Sequence, residues 1–332
     1  MDGREQLVAF AKEHNVAHDV CGKIILATKE SELPILQGII ERGTENGLSD
    51  LRMIGPDEIS DFEPFAKGIK AIHVPQTGII DFKGLCQKLA ELITQINPDS
   101  RVFLNTKALG SFNEDGQSGL ITSQGKFVLK KKVFCAGLQA DRMAKMEGLK
   151  LDVAIVGFRG DYYELAESAI HKVKNLIYPV PDPAFPFLGV HFTRMTDGSI
   201  ECGPNAVFSF KREGYSRTAF DMKDTVDALR FPGTVKLFKK HTAKGIDEYK
   251  RAFSKKRFLA ALQGMIPSLT VDEIIPARSG VRAQALKSDG TLVDDFYIEQ
   301  IGNSVHVINA PSPAATAGLA IGDEIVRRIE SL

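Results

Sequence analysis

An α+β fold is what this sequence predicts, and three observations carry the expectation. Strand-like segments gather in blocks, at residues 101–134 and 155–204, with helix-like segments between and after them rather than in regular strand–helix alternation. No two glycines stand two residues apart, so the G-x-G-x-x-G turn of a dinucleotide cradle occurs nowhere in the 332 residues. That length, at about 150 residues per domain, allows roughly two domains.

Taken in order, Leu7, Val8, Phe10 and Ala11 recur at helical spacing with no cap ahead of them, so the chain opens inside a helix. The apolar run Gly22–Thr28 suits a strand, and a helix follows from about Ser31, with Pro34 tolerable in its first turn. Ile69–Val74 reads as a strand and Gln76–Gly78 as a turn. Asp81 then caps a helix whose Leu85, Leu89, Leu92 and Ile96 share one face. Strands at Arg101–Leu104, Ala108–Phe112, Gly119–Thr122 and Lys126–Phe134, with turns at Asn113–Gly116 and Ser123–Gly125, make a β-meander. Ala136-Gly137 ends its last strand, and a helix starts near Ala140. A second antiparallel block runs from Ile155 to Pro204, with its clearest hairpin at Leu188–Met195, turn Thr196–Gly198, then Ser199–Gly203. Two or three helices fill Asp221 to Leu262. Strands return at Val281–Leu286, Phe296–Glu299 and Ser304–Ile308, with a hairpin at Ser288–Gly290, and the last helix begins at about Ser312.

Composition excludes several classes of function. Lys+Arg 42 against Asp+Glu 42 leaves no net field to draw the chain to nucleic acid. The longest apolar run, Ala314–Ile321, falls far short of the ~20 residues that cross a bilayer, and charged Met1–Phe10 is no secretory signal. Cys21, Cys86, Cys135 and Cys202 form no C-x-x-C, and no histidine pair has ligand spacing, so neither a disulfide framework nor a metal site is expected. P-loop and G-x-S-x-G patterns are absent as well.

Four polar clusters remain: Gly157–Tyr163, Tyr178–Arg194, Gly203–Tyr215, and Gly280–Gln284 together with Asn309–Thr316. Local context alone reads Arg159 and Arg194 as surface strand cations and His191, between Val190 and Phe192, as a hydrogen-bonded sheet histidine. The prolines of Pro179–Pro186 read as a stiff loop, and Asn309–Thr316 as a strand-to-helix turn whose small residues would admit a flat ligand. The basic stretch Lys236–Arg257 carries nine Lys/Arg against Asp247 and Glu248. A solvated face is its plain reading and contact with an anionic membrane the sharper one.

FRGDYY (Phe158–Tyr163), IYPVPDPAFPFLGVHFTRM (Ile177–Met195), GPNA (Gly203–Ala206), FKREGY (Phe210–Tyr215), GVRAQAL (Gly280–Leu286) and NAPSPAAT (Asn309–Thr316) occur in one chain and in this order. With CGKIILAT (Cys21–Thr28) and the Thr77–Phe82 run, they resemble the FAD-dependent L-2-hydroxyglutarate dehydrogenase/oxidase family of D-amino-acid-oxidase-like flavoproteins. The resemblance implies an antiparallel-sheet substrate domain interleaved with an FAD domain that is α/β in the family's full form. Family members open with a strand–GxGxxG–helix unit, so the resemblance places Met1 within a helix that follows it. It divides the chain into substrate-domain parts at 1–80 and 151–275 and FAD-domain parts at 81–150 and 276–332.

The chemistry so implied is oxidation of (S)-2-hydroxyglutarate to 2-oxoglutarate, by hydride transfer from C2 to flavin N5 while a base takes the hydroxyl proton. His191 is the expected base, Arg282 the clamp on the C1 carboxylate, and Arg159 or Arg194 with Tyr178 and Asn205 the holders of the distal carboxylate. FAD is expected against Ala108, Ala136, Gly137, Gly280 and the run Asn309, Ala310, Pro311, Ser312, Pro313, Ala314, Ala315 and Thr316, with no metal. Two readings compete: a non-catalytic fragment that binds no FAD, and an amino-acid oxidase of the glycine or sarcosine type. The partners expected are a dicarboxylate, oxygen or a quinone as electron acceptor, no nucleic acid, and a peripheral membrane contact through 236–257. The expected location is cytoplasmic, with or without membrane association, or mitochondrial in a eukaryote.

Overall fold

In the computed structural model of the protein, residues 2–114, 116–182 and 188–332 are described, without the side chains of Asp2, Ala243 and Lys244. The Pro179–Pro186 loop reading and the turn at Asn113–Gly116 therefore fall partly outside the described residues. The first third forms α1 (Asp2–Glu13), β1 (His18–Asp19), β2 (Lys23–Ala27), α2 (Leu33–Glu45), β3 (Arg52–Ile54), α3 (Pro56–Phe62), β4 (Lys70–Val74), β5 (Ile79–Ile80) and α4 (Phe82–Ile96). Asp81 caps α4 as its position predicts, its carboxylate accepting from the Lys83 amide at 3.0 Å. The second third continues with β6 (Ala108–Glu114), β7 (Gln117–Thr122), β8 (Gly125–Val128), β9 (Lys132–Phe134), α5 (Ala140–Met146), β10 (Val153–Leu165), β11 (Leu176–Pro179), β12 (His191–Arg194), β13 (Ile200–Gly203) and β14 (Val207–Phe208). Last come α6 (Met222–Arg230), α7 (Pro232–Ala252), α8 (Lys255–Gln263), β15 (Ile274–Lys287), β16 (Tyr297–Ile301), β17 (Ser304–Asn309) and α9 (Gly318–Glu330).

The largest sheet runs β14-β10-β13-β12-β11-β2-β4-β3, with β15 also on β10. It is antiparallel except where β11 meets β2. Its spine is the β10–β15 ladder, which runs from Val153 opposite Lys287 to Leu165 opposite Ile274, with a bulge that shifts the register between Asp161 and Tyr163. Alternation sorts the faces: Ile24, Ile177, Phe192 and Cys202 enter a core closed by Phe258 and Leu262 of α8, whereas Ile25, Ala27 and Tyr178 meet the α2 side. A smaller sheet, β16-β17-β9, has β17 and β9 parallel, and β6-β7-β8 make the meander.

Three expectations needed correction. Arg101–Leu104 is not a strand, because Arg101 turns back onto the carbonyls of Pro98 and Ser100 while Phe103 and Leu104 stay exposed. Lys126–Phe134 is two strands rather than one. The Lys132 ammonium is drawn inward to Glu147 at 2.5 Å, and its backbone joins the parallel sheet instead of the meander. The last helix starts at Gly318, since Pro311 and Pro313 offer no N–H and the intervening residues take three-residue turns.

Residues 1–80 pack against two parts of the molecule. Leu7 and Ala11 of α1 pack with Leu85 of α4, and α1 approaches the turn that leads into α9 so closely that a Cβ on Gly3 would lie 2.6 Å from that of Ala317. Residues 23–74 instead belong to the large sheet.

Candidate active site

Lys23, Tyr178 and His191 sit on the neighbouring strands β2, β11 and β12. Ile24, Ile177 and Phe192 beside them enter the core, so period-2 alternation turns all three toward the other face. The Tyr178 and His191 rings are in tilted contact, with centroids 4.1 Å apart and planes at 33°, and Lys23 Nζ lies 4.9 Å from the centre of the Tyr178 ring. Nδ1 of His191 is 3.0 Å from the Gly189 carbonyl oxygen. A carbonyl only accepts, so Nδ1 carries the proton and the Nε2 lone pair is left for other work.

Burial pushes His191 down to about 4, an effect that the Gly189 carbonyl opposes and the Lys23 and Arg282 cations reinforce. The ring is therefore neutral at physiological pH. Arg282, on β15, also acts on Tyr162 of β10, and burial raises both Tyr162 and Tyr178 above the usual phenol value. Tyr178 is in turn bonded to Thr193, two residues along from His191 on the same strand face. One face of the sheet thus gathers a neutral imidazole, two cations and two phenols.

A titration follows from this. An NMR pH series on the His191 ring is expected to show a midpoint near 4, and a midpoint near the unperturbed 6.5 would contradict the burial. The sign for stability is the same: His191, His73 and His306 all have values lowered by burial. Their native states bind fewer protons than the unfolded chain, so stability is full above about 6.5 and is lost as pH falls toward the folded values.

The other expected anion holders are placed differently. Arg159 is 3% exposed and clamped by Asp161, Nε to Oδ1 at 2.8 Å and Nη2 to Oδ2 at 3.2 Å, with Nη1 on the Ser216 carbonyl. Arg194 lies on the strand face opposite His191 and is paired with Asp19 of β1. Neither joins the His191 cluster. Asn205 is buried, its Oδ1 accepting from the Asp161 amide at 2.7 Å while its Nδ2 has no partner. Lys23, Tyr162 and Thr193 were missed by the sequence reading. Lys23 did carry a signal, as the one charge leading an apolar strand.

The expected cofactor residues come together in part. Asn309 ends β17, and Gly137 follows the end of its parallel neighbour β9 by three residues, on the side where ligands of such sheets bind; the turn at 137–139 touches both β15 and β17. Asn309 is held by two 2.9 Å bonds from its Nδ2 to the carbonyls of Val293 and Asp295. After it, Ala310, Ser312, Pro313 and Ala315 are exposed ahead of the N-terminus of α9, and a Cβ on Gly280 would meet nothing within 4 Å. Small side chains and open space beside a helix N-terminus fit a flat, anionic cofactor. Ala108 starts β6 on the meander opposite Thr122, and Ala136 is half-buried after β9.

The profile of a family described as FAD dependent oxidoreductase matches residues 1–328. The chain belongs to that family. Among its relatives, the L-2-hydroxyglutarate dehydrogenase of Indibacter alkaliphilus is 44% identical over 326 residues, covering 98% of this chain and 81% of the relative. The mitochondrial L-2-hydroxyglutarate dehydrogenase of Homo sapiens is 38% identical, covering 99% and 75%. Among solved structures, the L-α-glycerophosphate oxidase of Mycoplasma pneumoniae, dithionite-reduced with FAD bound, superposes with a TM-score of 0.76 at 21% identity, covering 99% of this chain and 78% of its own. The protein is thus an FAD-linked oxidoreductase of mixed helix and sheet. Among the described residues of this oxidoreductase, no helix is long and apolar enough to cross a membrane.

Proposed function

We propose that this oxidoreductase converts (S)-2-hydroxyglutarate to 2-oxoglutarate. The carrying observation is the neutral His191 within the field of two cations, Lys23 and Arg282, on a face that also presents two half-buried phenols. A dianion needs more than one cationic partner, and a hydroxyl proton needs a base that is unprotonated at neutral pH. The relatives named L-2-hydroxyglutarate dehydrogenase support the same substrate.

Bound FAD supplies the acceptor for the hydride that leaves C2. Gly137, Gly280 and the Asn309–Thr316 run would hold it. Arg282 binds the C1 carboxylate, and Lys23 takes the role expected of Arg159 or Arg194 toward the distal one, with the free Nδ2 of Asn205 as a further donor. His191 Nε2 receives the hydroxyl proton. The positive field that disfavours its protonation in the free protein is offset once the substrate's two negative charges are bound, so the ring becomes a better base when it is needed. The electrons then pass to oxygen or to a quinone.

The test is a purified chain supplied with FAD and a dye acceptor. Bound-flavin absorbance and turnover of (S)-2-hydroxyglutarate, with glycine and sarcosine inert, is the expected result. A chain that takes up no flavin, or that turns over the amino acids instead, overturns the proposal.

A further inference from the structure

A cavity of about 300 Å³ lies between β10 and β14 on one side and α7 on the other. Its deep wall is aromatic: Phe158, Phe208, Phe238 and Tyr249. Phe208 meets Phe238 edge-on at 5.3 Å, and the Tyr249 hydroxyl donates to the Phe208 carbonyl at 2.7 Å. Among its described lining residues none belongs to the His191 cluster and none is Lys, Arg, Asp or Glu, so the space suits an apolar occupant better than a dicarboxylate. Its volume is at the low end for a small-molecule site, and an apolar space of this kind favours an apolar occupant over water.

The cavity has a cause and an opening. Helix α7 bends at His241, whose φ of −119° is not helical. The next residue, Thr242, donates its hydroxyl to the Phe238 carbonyl one turn back at 2.6 Å, the back-bonding that bends helices. Phe210, Leu229 and Ile246 rim the space and are themselves 38%, 41% and 52% exposed. The apolar surface continues past the rim to Phe220, beside Phe210, and to exposed Phe253, the residue that caps the C-terminus of α7.

Cations surround this apolar mouth. The stretch 236–257 has nine Lys/Arg and two acids, and those two acids are occupied by Arg251 and Arg257. Exposed Lys239, Lys240 and Lys250 of α7 are left to face solvent beside Ile246. Exposed aromatic and aliphatic side chains interleaved with lysines are the signature of a surface that lies on anionic lipid.

We propose that the α6–α7 face docks on an anionic phospholipid bilayer and that the cavity under α7 receives one acyl chain from it. The lysines supply long-range attraction to the headgroups, the rim enters the headgroup boundary, and the aromatic wall takes the chain. This inference is independent of the substrate assigned above.

The test is co-sedimentation of the full chain with vesicles of phosphatidylcholine alone or mixed with phosphatidylglycerol. Binding is expected only to the mixed vesicles and is expected to weaken by about ten-fold or more in K239E/K240E. Gly245 lines the cavity and a Cβ there meets nothing within 4 Å, so Gly245→Leu fills the space without altering surface charge. It is expected to weaken vesicle binding several-fold while its thermal unfolding matches the parent. Equal binding to both vesicle types, or none, overturns docking. Unaltered binding of Gly245→Leu overturns acyl entry. Retention of a free long-chain carboxylate without any vesicle binding overturns the bilayer as the source of the chain.

Discussion

Replacing His191 by glutamine is expected to lower kcat on (S)-2-hydroxyglutarate by about 10²–10⁴-fold, the usual contribution of a positioned general base. Glutamine can still donate to the Gly189 carbonyl and lie against the Tyr178 ring, so the local packing survives. What it lacks is a nitrogen lone pair able to take a proton. KM should move far less than kcat, because the carboxylates are assigned to Lys23, Arg282 and Asn205 rather than to the imidazole. Flavin absorbance and thermal unfolding should match the parent. A kcat within a few-fold of the parent would place the base on another residue.

Asp161→Ala is expected to cost about 3–5 kcal/mol of stability, measured by urea unfolding. Both partners of the Arg159–Asp161 pair are almost fully buried, so solvent does little to screen their attraction. Asp161 also accepts from Ser279 Oγ at 2.8 Å and has the Arg217 guanidinium 4.0 Å away. Removing the carboxylate leaves the Arg159 charge desolvated against the apolar interior, and that uncompensated charge is the larger part of the cost. Arg159→Met in the same chain should recover much of the loss, since the double variant contains no stranded charge. If Asp161→Ala costs less than about 1 kcal/mol, the guanidinium has found water and the burial argument fails.

That pair also shows what could be read before the fold was known. Arg159 and Asp161 are two apart on a strand and so share a face, yet local context read the arginine as a surface cation and the resemblance read it as a carboxylate holder. Composition could not say that both would be buried. The same alternation sets His191 and Thr193 on one face, although the sequence reading singled out His191 alone, and the Thr196–Gly198 turn fixed the hairpin that presents them. Arg194 was different. Its partner Asp19 lies 175 residues away, and no local pattern announces a contact made only by tertiary assembly. Lys132 is a similar case: within Lys130-Lys131-Lys132 nothing marks the one ammonium that turns inward to Glu147 and ends the meander. Lys23 joined the cluster because β11 lies beside β2 in parallel, a neighbour relation that spacing along the chain does not encode.

The β10–β15 ladder has a consequence for the order in which the protein can be made. Its two strands are separated by about a hundred residues of chain, which include all of α6, α7 and α8. A ribosome working from the N-terminus completes β10 long before β15 emerges. Through that interval one edge of a 13-residue, largely apolar strand has no partner, and α7 and α8 are synthesised with part of their docking surface unfinished. Chaperone engagement is therefore most needed between the emergence of residues 165 and 287, when the nascent chain is long enough to collapse but still lacks the strand that closes it.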